Sequence, residues 1–506
     1  MAKKSIAKNF LYNLVYQVLI LILPLITTPY LSRVLGAEGI GIYSYTYSIV
    51  TYFILFGSLG VALYGQREIA YAQENVEQRK KVFIEIVIFR FVTIFLASIV
   101  YYFFFIKGET YQLYYKILFL EILAAAFDIS WFFQGMEEFK RTVTRNVLVR
   151  ISSVTLVFII VKNPQDLAKF TLIYSLADLV GNLSLWLYLP KYLKGIKVNN
   201  INILKHIPQI VLLFVPQIAN QIYKILDTTM IGNLVENKAE VGFYEQGQKV
   251  IRLLLTIVTS LGVVMIPRMA STFASGDKKK INEYMKNSFN FVFFLAFPIM
   301  FGIDSIANDF VPIFFGIGYD KVVILIRIIS PIVILMGVAN VIGTQYLLPT
   351  KRQKEYTNSV TIGVIVNFIL NYILISLYQS IGASIATVLS QLIVDIIQIR
   401  YIKNEIDFKG LAKLSYKYIF SSLIMFIVCF FVKIFVNSNF VTRIIQNLNT
   451  DVIYSKSIIS IGLQIVVGMI VYLGMLLLVF KDKYLKLYID KIKEKVLKKR
   501  KLSHEL

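Results

Sequence analysis

Glu245, Lys249 and Arg252 stand at i, i+4 and i+7 inside an otherwise mostly apolar stretch. On a helix that spacing puts all three on one face. Lys224 and Asp227 follow the same logic at i, i+3, and Glu121 and Asp128 share a stripe seven residues apart near Lys116. Arg90, Arg150, Arg327 and Lys433 stud other apolar runs. At membrane depth an ionisable group is costly unless it faces a partner or a wet cavity, so each marks a functional candidate. Mutual neutralisation between helices accounts for Lys224 with Asp227 and for Glu245 with Lys249. Arg252, roughly 15 Å along its helix from the nearer end, has no other partner on its stripe and suits a water-filled, anion-attracting cavity. A planar guanidinium matches a phosphate group through paired, charge-assisted hydrogen bonds. Arg252, Lys249, Lys224, Arg90, Lys116 and Arg327 are therefore the expected substrate-binding cations, and the expected ligand is a large anion.

Uncharged polar residues also line up. Asn367 and Asn371 share one face of their run, as do Thr387, Gln391 and Asp395 of the next. Such stripes serve either as hydrogen-bonding glue between helices or as oxygen ligands for a hard monovalent cation. No GxxxxGK[ST] sequence is present, which argues against a nucleotide-driven domain. Cys429, His206 and His504 are the only Cys and His residues, and they form no nucleophilic or metal-ligating pattern. The chain reads as a transporter, not an enzyme, with no cofactor beyond a coupling ion. Its drive must come from an ion gradient, the membrane potential or consumption of the product.

The elements that position these groups are apolar runs, each about as long as a bilayer is thick. Their expected spans are 12–31, 40–63, 83–106, 113–135, 147–161, 167–189, 209–233, 242–266, 288–306, 322–348, 359–378, 382–402, 418–436 and 457–480. About 20 apolar residues cross the hydrocarbon core as one helix, so the chain is an all-α polytopic membrane protein with about 14 transmembrane helices. The fifth span is short unless Arg145 to Arg150 belongs to it, and 307–318 reads as a re-entrant or external segment. Hydrophobic residues make up 57% and charged ones 16%, as lipid immersion requires. Lys3, Lys4 and Lys8 precede the first run like a signal peptide's basic start, but the run is too long and lacks a small-residue cleavage site. It is expected to be retained.

Alternating the spans puts both termini and the gaps at 64–82, 136–146, 190–208, 267–287, 349–358 and 403–417 on one side. About 36 of the 53 Lys and Arg fall there and about 7 in the opposite gaps, so that side is cytoplasmic. Topology and attraction to anionic lipid then account for the net charge of +23 without nucleic acid. The tail after residue 480 spaces Tyr484, Leu487, Ile492 and Val496 among lysines and reads as a basic amphipathic helix on the inner leaflet.

An internal repeat organises the spans. Gly41-Ile42-Tyr43 followed by Ser58-Leu59-Gly60-Val61 recurs as Gly242-Phe243-Tyr244 followed by Ser260-Leu261-Gly262-Val263. Arg67 and Arg268 follow at nearly the same distance. Two six-helix copies that both begin in the cytoplasm are parallel repeats about an axis along the membrane normal, with a cleft between them. The expected organisation is an N-lobe over 1–190, a C-lobe over 191–403, helices 13 and 14 over 404–480, and a basic cytoplasmic tail over 481–506.

The opening from Asn9 to Ala70 (NFLYNLVYQVLILILPLITTPYLSRVLGAEGIGIYSYTYSIVTYFILFGSLGVALYGQREIA) resembles the start of Wzx-type polysaccharide flippases. These form the polysaccharide transporter family of the multidrug/oligosaccharidyl-lipid/polysaccharide exporter superfamily. DTTMIGNL from Asp227, Phe243-Tyr244 and the later IPRMA carry the likeness into the second half. The resemblance implies alternating access, residence in the bacterial cytoplasmic membrane as a monomer, and an undecaprenyl-diphosphate-linked oligosaccharide as cargo. Capsule repeat units and teichoic-acid precursors both fit that description, and a glycan polymerase is an expected partner. The superfamily's peptidoglycan-precursor flippases build a sodium site whose pattern falls here on Asp227, Asn367, Asn371, the Ala383 carbonyl and Thr387. The chain departs from it in having Asn371 where a second carboxylate stands. Two other readings are a multidrug or organic-cation antiporter, which commonly needs a carboxylate that 12–31 lacks, and a non-transporting scaffold of a glycan assembly complex.

Overall fold

Apolar runs with no competing strand pattern fold as helices because, in lipid, a helix satisfies its backbone hydrogen bonds within one segment. The computed structural model describes residues 6–108, 110–193, 200–406, 408–438, 452–486 and 490, and every regular element among them is helical. The side chains of Lys8 and Lys224 lie outside the described residues, as do Lys3, Lys4, His504 and most of the basic tail. Ten helices among the described residues are long and apolar enough to cross a membrane, eleven when one bent pair counts as a span.

Two of these are far longer than a bilayer and are interrupted once. α1 (Ile6–Ser58) breaks at Gly36, whose φ of 70° and ψ of 174° leave the helical region. α15 (Gln353–Ile402) breaks at Gln379, at φ 56° and ψ −130°. Both breaks fall in the short gaps expected between spans, so helices 1 and 2, and 11 and 12, are joined by a single non-helical residue each. Three boundaries differ from expectation. α6 runs from Phe139 to Ile160, taking in two polar turns that the hydropathy pattern leaves in the gap before the fifth span. α12 runs from Lys278 to Phe315, so most of 307–318 is not a re-entrant turn but continues the helix until Gly316 and Gly318 adopt positive φ. α10 (Ala239–Thr259) and α11 (Leu261–Ala274) form a pair bent by 41°.

That bend lies where the first repeat also breaks. α1 ends at Ser58 and α2 (Val61–Tyr71) begins after Leu59 and Gly60, both at positive φ. The second copy breaks at Ser260, the equivalent of Ser58. The repeat thus recurs in the structure as a helix interruption as well as in the letters.

Packing divides the chain into two units. The first comprises residues up to Gln246 together with Phe315–Ile317 and Val364–Ala386. It contains α3 (Val76–Tyr101), α4 (Gln112–Phe127), α5 (Ser130–Gly135), α6, α7 (Leu167–Trp186), α8 (Pro190–Leu193) and α9 (Ile207–Leu234). Trp131, Phe132, Phe133, Phe83 and Ile86 form part of its buried core. Between α8 and α9, Glu85 accepts hydrogen bonds from the Asn202 backbone, Lys205 and the His206 Nε2, each at 2.8 Å. The Tyr64 hydroxyl completes the network at 2.5 Å from His206 Nδ1. A buried carboxylate so satisfied is a structural anchor, which is the role of His206.

The second unit comprises Gly247–Phe314, Gly318–Gly363 and the chain from Thr387 onward. It includes α13 (Asp320–Ile329), α14 (Ile332–Ala339), α16 (Phe408–Val436) and α17 (Val452–Gly474). Asp482 anchors the start of the tail to α16, pairing with Lys417 and lying 3.3 Å from the Tyr418 hydroxyl.

Candidate functional site

A polar cavity of about 330 Å³ opens inside the first unit. α4 lines it with Glu121, Ala124, Ala125 and Asp128, one stripe at helical spacing. α3 contributes Arg90, α6 contributes Arg145, Asn146 and Arg150, α7 contributes Asp178 and Asn182, and α1 contributes Tyr16 and Tyr47. α4 stops at Asp128, which takes an extended conformation and accepts from the Ser130 N–H at 2.9 Å. That bond closes the turn into α5, while the other carboxylate oxygen, Oδ2, faces Arg90.

The charges face one another without closing up. Arg90 Nη2 lies 3.7 Å from Asp128, Arg145 Nη2 4.0 Å from Asp128, and Arg150 Nη2 3.9 Å from Asp178. These are ion pairs beyond hydrogen-bond length. Arg90 is 4% exposed, and its Nε and Nη1 have no hydrogen-bond partner. Arg145 Nε and Asn182 Oδ1 are likewise unmatched, while Asn182 Nδ2 donates to the Ala124 carbonyl at 2.7 Å. These unmet donors on α3 and α6 and the unmet acceptor on α7, all on lining residues, are what a polar ligand or water would satisfy.

A second buried cluster surrounds Asp227. Asn371 Nδ2 donates to Asp227 Oδ1 at 2.5 Å and to Asn367 Oδ1 at 3.1 Å, and the Tyr244 hydroxyl donates to Asp227 Oδ2. Asn371 Oδ1 and Asn367 Nδ2 are left without partners. Turning the Asn371 amide over would present its oxygen beside the carboxylate, so the residues fit a small cation, with one formal charge among them. Ala383 is buried in the same unit; Thr387 begins the other.

The other predicted cations are not among the residues that line this cavity. On α10, Lys249 is half-buried and Arg252 exposed, while Glu245 accepts from Thr228. Arg327 pairs with Asp304 at 3.1 Å, and Lys433 lies 3.8 Å from Asp309. Lys116 is exposed near the start of α4, off the cavity-lining stripe. Sequence reasoning found Arg90, Glu121, Asp128 and Arg150 but missed Arg145, Asp178, Asn146 and Asn182. Asp178 and Asn182, one turn apart in an apolar run, were a readable signal. The second unit also holds an apolar cavity of about 530 Å³ walled by Phe294, Pro298, Gly302, Met425, Gly468 and Tyr472, with Gln464 at its edge.

A family model described as polysaccharide biosynthesis protein matches residues 6–273. The chain belongs to that family. This accords with the likeness to polysaccharide flippases carried by its first 70 residues. A model described as MatE matches residues 213–373. A putative O-antigen transporter of Escherichia coli K12 is 25% identical over 409 residues, 79% of this chain and 98% of that protein. The lipid II flippase MurJ of Bacillus subtilis is 24% identical over 148 residues, 29% of this chain and 27% of its own. In three dimensions the family member is similar to lipid II flippase MurJ in an inward closed conformation, with a TM-score of 0.70, 17% identity, and coverage of 94% of this chain and 99% of that one. An inward-facing multidrug transporter of the MATE family and MOP superfamily aligns at TM-score 0.55, with 11% identity over 78% of this chain and 99% of the other. These likenesses give the fold: an all-α, multi-pass membrane protein of the flippase and multidrug-transporter type.

Proposed function

We propose that this protein flips an undecaprenyl-diphosphate-linked oligosaccharide across the bacterial cytoplasmic membrane by alternating access, with both termini inside. The observation that carries the reading is Arg90, a buried guanidinium with unmatched N–H groups on the wall of a polar cavity in a membrane-embedded bundle. Such a group is expensive in lipid and is retained where a ligand or water faces it. The similarity to a putative O-antigen transporter over nearly that protein's whole length supports a glycan cargo. Lys249 and Arg252 supply cations for the diphosphate, and the apolar cavity of the second unit suits a polyprenyl chain. Capsule repeat units and teichoic-acid precursors share this chemistry. A sodium ion held by Asp227, Asn367, Asn371 and the partners named with them would couple the cycle to an ion gradient.

Depletion of the protein in its host tests the reading: a lipid-linked glycan should accumulate on the inner leaflet and its delivery outward should fall. Unchanged delivery would overturn it. The MatE match keeps organic-cation antiport as a second reading, which requires depleted cells to become sensitive to cationic dyes.

A further inference from the structure

The cavity of the first unit is formally neutral. Arg90, Arg145 and Arg150 stand against Glu121, Asp128 and Asp178. A diphosphate placed there would meet as many carboxylates as guanidinium groups, so the cavity gives it no net attraction. What the walls offer instead is alternation of hydrogen-bond type. A guanidinium only donates and a carboxylate only accepts, whereas a hydroxyl does both.

The spacing makes room for such a group. Each cation–carboxylate approach is 3.7–4.0 Å, too long for a direct bond and leaving capacity on both sides. The unmatched Nε and Nη1 of Arg90, Nε of Arg145 and Oδ1 of Asn182 add three donors and an acceptor. Arg90 is more than nine-tenths buried, so its donors have no bulk water to turn to. Tyr16 and Tyr47 supply aromatic walls, whose negative ring faces suit the C–H face of a pyranose. The volume of about 330 Å³ sits at the lower end of the roughly 300–1,000 Å³ of small-molecule pockets, enough for a sugar ring or two.

We infer that this cavity is a carbohydrate subsite that takes a net-neutral, hydroxyl-rich sugar of the cargo, and that the diphosphate is held elsewhere. The inference rests on the flipping reading and sharpens it. Asp178 and Glu121 accept sugar hydroxyls, while Arg90 and Arg145 donate to sugar oxygens. The protein therefore selects its cargo by the sugar as well as by the lipid diphosphate.

The test uses the purified full chain in lipid nanodiscs, titrated with a panel of free neutral hexoses, N-acetylhexosamines and their disaccharides, with glucuronate and pyrophosphate, and separately with farnesyl diphosphate. At least one neutral sugar should bind saturably, and Asp178→Asn and Glu121→Gln should each weaken it at least tenfold while leaving farnesyl diphosphate binding unchanged. Lys278→Ala, at an exposed position outside the cavity, should alter neither. If no neutral sugar binds, if glucuronate or pyrophosphate binds in its place, or if both variants bind sugar like the wild type, the subsite assignment is wrong. Loss of the sugar arm alone would leave the flipping reading standing; loss of farnesyl diphosphate binding in the wild type would remove that reading instead.

Discussion

Gly41 and Gly242, equivalent positions of the two sequence repeats, pack against each other's helices. A Cβ on Gly41 would lie 1.7 Å from the Lys238 carbonyl oxygen, and one on Gly242 1.9 Å from that of Ala37. Around the crossing, Tyr45 donates to Asn233 at 2.7 Å, Thr229 to Ser48 at 2.9 Å, and Lys238 to the Gly232 and Val235 carbonyls at 2.7 and 2.8 Å. Alanine at either glycine must push backbone from backbone, at a cost of about 1–3 kcal/mol.

The crossing thus holds the repeat-equivalent helices together at the ends expected to face outward. In a Cys429→Ser background, Ser48→Cys should react slowly with a water-soluble thiol reagent, since Ser48 is buried. Adding Gly242→Leu should raise that rate about tenfold or more. Equal rates would show that the glycines do not govern closure.

Orientation follows from the uneven loop charge. In intact cells, again without Cys429, Glu74→Cys should be protected from an impermeant thiol reagent and Asn437→Cys should be labelled. The reverse pattern would invert the topology.

Arg90 and Arg252 separate stability from transport. Arg90→Ala leaves the cavity's carboxylates short of a buried cation and should destabilise the protein by about 3 kcal/mol, read as a fall in melting temperature. Arg252 is exposed on its helix, where an ion pair is worth about 0–1 kcal/mol, so Arg252→Ala should cost less than about 1 kcal/mol of stability while lowering outward delivery of the lipid-linked glycan. Arg252→Lys should restore delivery only in part, because a point charge lacks the planar fork. Full delivery by a stably expressed Arg252→Ala protein would remove Arg252 from the substrate path.

Asp227 distinguishes an ion site from a closed hydrogen-bond cluster. Sodium at ten times its dissociation constant would add about 1.4 kcal/mol of stability, so millimolar sodium should raise the melting temperature above that in choline of equal ionic strength. Asp227→Asn should abolish the difference. Identical melting in the two salts would mean that Tyr244 and Asn371 satisfy the carboxylate without an ion.

The sequence alone determined the all-α membrane class, the location of nearly every helix, and the repeat, because hydropathy and its interruptions are properties of contiguous residues. It also marked Arg90, Glu121, Asp128 and Arg150 as charges that lipid would not tolerate. It read most of 139–146 as loop, since those turns are polar, and so lost Arg145 from the cavity. The same polarity is what a helix end needs when it faces a wet interior. Periodicity tells which residues share a face but not which faces meet. Lys116 and Glu121, five residues apart on α4, look alike as membrane charges, yet packing turns one to the exterior and the other to Arg150 and Asp178. Whether Asp227 finds Lys224 three positions away or Asn371 from another helix is likewise decided by contacts between segments far apart in the chain. Those contacts depend on side-chain shape across helices, and only the tertiary structure fixes them.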